Sequence, residues 1–286
     1  MKRALLCSAF AALLTGCGLC PSPPSAATGT AARYPITDVA TAPATPVRNQ
    51  AKSGTCWAFG GVSLIESEAI RTRRCTLDLS EMWVVRHAYF EKAVKYVRTR
   101  GRAAFDQGGE IQDVLWLVDR YGIVPQSLYE GGAADGTYDH ASLAKAIRRL
   151  AKRIVDKKLY EKEHWQRMIE ELDRRLGARP DRFVIDGVAY TPFSYADSIG
   201  FRRDDYIALT SFTHHPFFER FVLEIPDNWA AHATLNIPLD SLMRLLDSAL
   251  AAGYTAAWDT DVSERGFGRR AGIALLPQQE GRITLP

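Results

Sequence analysis

Apolar positions recur at helical spacing in three places along the chain. After Gly54, which marks a turn, Phe59, Val62, Ile65 and Ala69 follow one another at intervals of three and four, so a helix is expected to begin near Cys56. Further on, Leu143, Ile147, Leu150, Ile154 and Leu159 form a second stripe. Trp165, Met168, Ile169, Leu172 and Leu176 form a third, closed by Gly177. Lys145, Arg148, Arg149, Lys152, Arg153, Lys157 and Lys158 fall opposite the second stripe, as expected of a solvated helix face. Glu161, Glu163, Glu170 and Glu171 offset much of that charge. Ala233 to Pro238 reads as a strand.

The chain opens differently. Lys2 and Arg3 precede a largely apolar run, Ala4 to Leu14, too short to span a bilayer as a helix, which needs about 20 residues. The run ends in Leu14-Thr15-Gly16-Cys17, which resembles the lipobox of bacterial lipoproteins. The resemblance implies cleavage before Cys17, lipidation of its sulfur and a place in the bacterial cell envelope, at the outer membrane or facing the periplasm. Residues 17–46, rich in Pro, Ala, Thr and Ser, read as a tether.

Composition narrows the classes further. The 286 residues, 47% hydrophobic and 24% charged, have an ordinary globular balance that excludes collagen, coiled coil and disordered tail. Loss of Lys2 and Arg3 from 36 cationic residues against 33 acidic ones leaves a net charge of +1, too small for a nucleic-acid partner. Five cysteines are too few for a disulfide scaffold, and Cys20 and Cys75 read as free thiols rather than a pair. There is no phosphate loop, no dinucleotide fingerprint and no spaced metal-ligand set, so neither a cofactor nor a metal is expected. The adjacent pair His214-His215 lacks a third ligand. The pattern fixes no oligomeric state.

The chemistry concentrates around Cys56. A thiol at a helix N-terminus meets unpaired backbone N–H groups and the positive dipole end, both of which favour the nucleophilic thiolate. Gln50, six residues earlier, offers a side-chain amide to an oxyanion built on that sulfur. Gly60-Gly61 inside the helix costs about 1 kcal/mol per glycine and points to close backbone packing.

The run Gln50 to Phe59, with Gly54-Thr55-Cys56-Trp57-Ala58-Phe59, resembles the signature of papain-like cysteine peptidases. Leu79-Ser80-Glu81 resembles the start of that family's second helix. Gln107-Gly108-Gly109 with Tyr121-Gly122-Ile123 resembles its substrate strip and the following helix. Within the superfamily the chain is similar to the bleomycin hydrolase and aminopeptidase C branch, especially secreted bacterial members. That similarity rests on Leu79 to Met82 running into Val85 to Tyr89, on Thr210 to Phe217, on Leu223 to Trp229, and on Asp261-Val262-Ser263. Ser53 stands where papain has a disulfide-forming cysteine.

The resemblance implies an α+β papain-like two-lobe fold. Its expected parts are a signal peptide (1–16), a tether (17–46), a helical left lobe (47–135), a helical insertion (136–182) and a partial right-lobe antiparallel sheet (183–286). It also implies peptide-bond hydrolysis, with Cys56 as nucleophile, Gln50 as oxyanion donor, and Gly108 and Gly109 receiving the backbone of a peptide substrate. Aminopeptidase and endopeptidase action both remain open. In the family the general-base His and its orienting Asn follow a strand that corresponds here to Tyr254–Asp259, and neither motif occurs before residue 286. None of His87, His140, His164, His214, His215 and His232 fits the base position. Two expectations follow: a peptidase cut short before its base, or a catalytically inactive, lipid-anchored peptide-binding protein.

Overall fold

The computed structural model describes residues 37–132 and 138–260, and beyond them residues 262–263, 266–268, 273–274, 278–279 and 282–283. Cys17 and the apolar run before it lie outside the described residues, as does Cys20. Residues 40–286 form one contact unit.

Helix α1 (Cys56–Arg73) starts where the spacing predicts and buries Trp57, Ala58, Val62, Ile65 and Ala69. It stops at Arg74, whose left-handed backbone (φ 54°) turns its N–H back to the Ile70 carbonyl. Helix α2 (Glu81–Arg98) is capped by Ser80, whose hydroxyl accepts from the Trp83 N–H at 3.0 Å and donates to the Tyr129 carbonyl at 2.6 Å. Helix α3 (Ile111–Tyr121) opens with a reciprocal box between Glu110 and Asp113 and ends at Gly122. The two glycines of α1 part company. Gly61 is buried, and a Cβ there would lie 2.4 Å from Val114 Cγ2 of α3; Gly60 is exposed, with nothing within 4 Å. Only Gly61 answers to close packing.

Helices α4 (Ala141–Lys157) and α5 (Lys162–Leu176) carry the second and third stripes. Leu143, Ile147 and Ile154, with Met168, Leu172 and Leu176, join the core built by α1 to α3, and the seven basic residues opposite are exposed. Arg86 of α2, its side chain 3% exposed, forms an ion pair with Asp173 of α5.

The rest is sheet and short helix. Strands β1 (Phe183–Ile185) and β2 (Val188–Tyr190) form a hairpin turning on Asp186-Gly187, both at positive φ as a type I′ turn requires. Helix α6 (Pro192–Ser198) is capped by Thr191. Strands β3 (Leu209–Thr210), β4 (Arg220–Val222) and β5 (Ala233–Asn236) form a sheet of order β3-β5-β4. The expected antiparallel sheet is therefore mixed: β4 runs antiparallel to β5, but β3 runs parallel to it. The long connection after Thr210 lets the chain return in the same direction, which a tight hairpin could not. Asn236, fully buried, ties that connection down, its Nδ2 reaching the Phe212 and His215 carbonyls at 2.8 and 2.9 Å. Helix α7 (Leu239–Ala251) follows, with Leu239, Met243 and Leu245 exposed. Tyr254–Asp259, expected as a strand, is not one: among the described residues nothing pairs with it, and a strand needs a partner for its backbone groups. Among the described residues no helix is long and apolar enough to cross a membrane.

Candidate active site

Cys56 is the first residue of α1 and is exposed, while its neighbours Trp57 and Ala58 are buried. The turn before it locks itself. Gln50 Nε2 donates to the Ser53 carbonyl at 2.5 Å, and Ser53 Oγ donates to the Gln50 carbonyl at 2.8 Å. Ser53 Oγ and Thr55 Oγ1 lie 2.6 Å apart. Ser53 thus holds this turn by hydrogen bonds. The Gln50 amide is half-buried, with one N–H engaged to the Ser53 carbonyl.

Gln107 joins this turn to the glycine strip. Its side-chain oxygen accepts from the Gly54 N–H at 2.8 Å, and its carbonyl accepts from the Trp57 indole N–H at 2.9 Å. Two bonds from one residue therefore bind Gly108-Gly109 to the chain on either side of Cys56. The approach at Gly109 is tight. A Cβ there would come within 2.9 Å of Trp57 Cε2 and 3.0 Å of Asp113 Oδ2, so a side chain would force the strip off the indole. At Gly108 a Cβ would overlap the carboxylate of Asp227. Cys56, Gln50, Gly108 and Gly109 are thus assembled by one short network; Cys17 is not among the described residues.

Acidic groups gather around the strip. Burial raises the Glu110 carboxyl to about 7, with Asp259, Asp113 and Asp227 adding to the effect. Burial also raises Asp227, with Asp106 adding and Lys92 opposing. Beneath the strip, Lys92 donates to the Asp106 carbonyl at 3.0 Å and to the Gly108 carbonyl. Gln107 enters the sequence pattern only as the residue before the two glycines, and Lys92 does not enter it. Lys92 carries a readable signal, since it shares the spacing of Val85, Tyr89 and Tyr96 on the buried face of α2 and so interrupts an apolar stripe.

Each histidine has surroundings of its own. His87 is buried, its Nδ1 2.7 Å from the Trp83 carbonyl and its ring stacked on Tyr121; burial lowers it to about 3. His140 is buried edge-on to Tyr89 and Tyr138, and burial lowers it to about 4. His232 Nε2 lies 3.1 Å from Asp113 Oδ1, at ion-pair distance but off the hydrogen-bond direction, with its ring edge on Trp116. His215 stacks on Phe221, His214 lies edge-on to it, and His164 faces Glu161 at 3.8 Å. A cleft of about 450 Å³ lined by Lys95, Arg98, Trp116, Arg203, Trp229 and His232, among others, touches none of Cys56, Gly108 and Gly109. Among the described residues no group of three or more His, Cys, Asp or Glu side chains could hold a metal ion.

The exposed cysteine at a helix start, tied beside a glycine strip, can be compared with known proteins. Residues 35–171 match the family model of the papain family cysteine proteases. The chain is similar to aminopeptidase C of Lactococcus lactis subsp. cremoris, with 21% identity over 84% of this chain and 64% of the relative. Its fold matches the crystal structure of PepW from Lactobacillus rhamnosis HN001 with a TM-score of 0.61 and 20% identity, over 76% of this chain and 59% of that one. The resemblance to the aminopeptidase branch is borne out, as is the α+β papain-like fold. The chain spans about 64% of the length of the aminopeptidase C it matches.

Proposed function

We propose that this chain acts on peptides as a thiol-dependent, papain-like peptidase, with Cys56 as nucleophile and Gln50 as oxyanion donor. The observation that carries the reading is the exposure of Cys56 at the start of α1, with Gln107 fastening the Gly108-Gly109 strip to Gly54 and Trp57. A peptide laid along the strip would bring its scissile carbonyl to Sγ. The thiol adds to that carbonyl, its proton passes to the leaving amine as the C–N bond breaks, and water then hydrolyses the thioester to a carboxylic acid and the free thiol. The α1 N-terminus faces the charge that develops, and the free N–H of Gln50 donates to it. Similarity to aminopeptidase C supports action at a free N-terminus.

Labelling by a peptidyl epoxysuccinate tests the nucleophile. Saturable modification of the parent, abolished in Cys56→Ala, is expected; a folded parent that reacts no faster than a free thiol refutes it. Turnover of an aminoacyl fluorogenic amide against its N-blocked counterpart then reads exo- from endopeptidase action. A second reading, a lipid-anchored protein that holds peptides without cleaving them, is favoured by the separate surroundings of all six histidines. It predicts saturable peptide binding with no product. For placement, we propose lipidation at Cys17 and a position on the bacterial cell envelope, supported by the Lys2-Arg3, Ala4–Leu14 and Leu14-Thr15-Gly16-Cys17 pattern. Cys17→Ala should then release the protein from the membrane fraction, and continued membrane association would refute the anchor.

A further inference from the structure

Lys92 is a buried cation to which the proposed peptidase chemistry gives no task. It sits in the middle of α2, 3% exposed. Its ammonium donates to the carbonyls of Asp106 and Gly108, two residues apart on the strip approach. It also lies 5.9 Å from the ring centroid of Trp57 and 5.5 Å from that of Trp229. A desolvated lysine persists only where hydrogen bonds and facing charge replace its water. Here two carbonyls, two indoles and the carboxylates Asp113, Asp106 and Asp227 supply them. Burial draws the ammonium down to about 8, and those carboxylates pull the other way.

The geometry has a mechanical consequence. Two carbonyls gathered on one nitrogen fix the residue between them, Gln107. That residue reaches Gly54 with its side chain and Trp57 with its carbonyl. The strip is therefore held at two levels, by α2 through Lys92 and by α1 through Gln107. We propose that Lys92 is a positioning residue for peptide binding: by drawing the Asp106 and Gly108 carbonyls onto one ammonium, it holds the Gly108-Gly109 backbone where an extended peptide can pair with it beside Cys56. The proposal rests on the peptidase reading of the strip. Lys92 touches neither the thiol nor the peptide, and acts only through the backbone it holds.

The test compares two reagents on the full chain. Iodoacetamide needs only the thiol, whereas a peptidyl epoxysuccinate needs the strip as well. In Lys92→Met, iodoacetamide labelling of Cys56 should stay within about twofold of the parent, while peptidyl labelling slows by about tenfold or more and saturates at higher concentration. Backbone amides of residues 107–110 should exchange faster, with α1 and α2 protection unchanged. Lys92→Arg, which keeps the charge and its donors, should recover part of the peptidyl rate. If Lys92→Met does not fold, Lys92→Gln, with one amide for two carbonyls, should show intermediate shifts in the same measurements. Equal slowing of both reagents would reduce Lys92 to general support and overturn the proposal. An unchanged peptidyl rate, or unchanged exchange at 107–110, overturns it too. A parent with no preference for the peptidyl reagent instead sinks the peptidase reading and the substrate half of this proposal. The exchange measurement then decides by itself whether Lys92 anchors the strip.

Discussion

One added methyl group should act in opposite directions at two adjacent positions of α1. Gly60 is exposed, and a Cβ there meets nothing within 4 Å. At Gly61 a Cβ would lie 2.4 Å from Val114 Cγ2 and 2.7 Å from Val114 Cβ. Replacing a helix-interior glycine by alanine gains about 1 kcal/mol from backbone entropy, and Gly60→Ala receives all of it. Gly61→Ala has the same gain but must displace Val114, and α3 with it, by about 1 Å to restore contact near 3.5–4 Å. Overpacking of that kind costs about 1–3 kcal/mol, so the two variants should differ in stability by about that amount, with Gly60→Ala the more stable. For a chain of this size each kcal/mol moves the midpoint by roughly 2–4 °C, well within thermal or urea unfolding measurements. There is a functional readout as well. Spreading α1 from α3 moves Trp57 relative to Gly109, so Gly61→Ala should also slow peptidyl labelling of Cys56, whereas Gly60→Ala should not. A Gly61→Ala protein as stable as Gly60→Ala would refute the α1–α3 contact and the positioning argument built on it.

Three further outcomes are expected. Burial raises the Glu81 carboxyl to about 7, opposed by its own backbone N–H and by Arg48. The folded state therefore holds this proton longer than the unfolded chain, and stability is lost as pH rises from about 4.5 to about 7; Glu81→Gln should stabilise by up to about 3 kcal/mol at pH 8 and by little at pH 4.5, read from urea midpoints. His140 behaves in the opposite sense: held neutral down to about 4 by burial, it costs stability as pH falls below about 6.5. His140→Phe should flatten that acid limb, and an unchanged slope between pH 7 and pH 5 would show that His140 takes up its proton freely. Gln107→Ala removes the bond to the Gly54 N–H, and should cost about 1 kcal/mol of stability while slowing peptidyl labelling of Cys56 more than iodoacetamide labelling.

The helices were legible because their signals are local. Met168, Leu172 and Leu176 repeat within one element, and Ser80 caps α2 from the position next to it. Leu159, counted in the α4 stripe, falls outside the helix because Lys158 turns left-handed at φ 54°. The sheet was less legible. The parallel pairing of Leu209 with Leu235 joins residues far apart in sequence, and no periodicity announces it. Tyr254–Asp259 has a strand-like composition, but strand formation is decided by a partner. At the site, Cys56 and the two glycines could be read from their motifs. What holds them together could not, since the Gln107 carbonyl and the Lys92 ammonium find their partners through tertiary contact, even though both residues stand at marked positions in the sequence.

The Arg86–Asp173 pair bears on how this protein could be cut down. Trimming residues 136–182 to approach a minimal papain-like domain would look harmless, since the segment reads as an addition. It would strip Leu143, Ile147, Ile154, Met168, Leu172 and Leu176 from the core they share with α1 to α3, and would uncover the Arg86 guanidinium that α5 pairs in the intact chain. Truncating a single buried leucine, isoleucine or methionine to alanine already costs about 2–5 kcal/mol, a large part of the stability of most domains. The α4–α5 hairpin is therefore part of this chain's core, and changing position 86 alone would not make it dispensable.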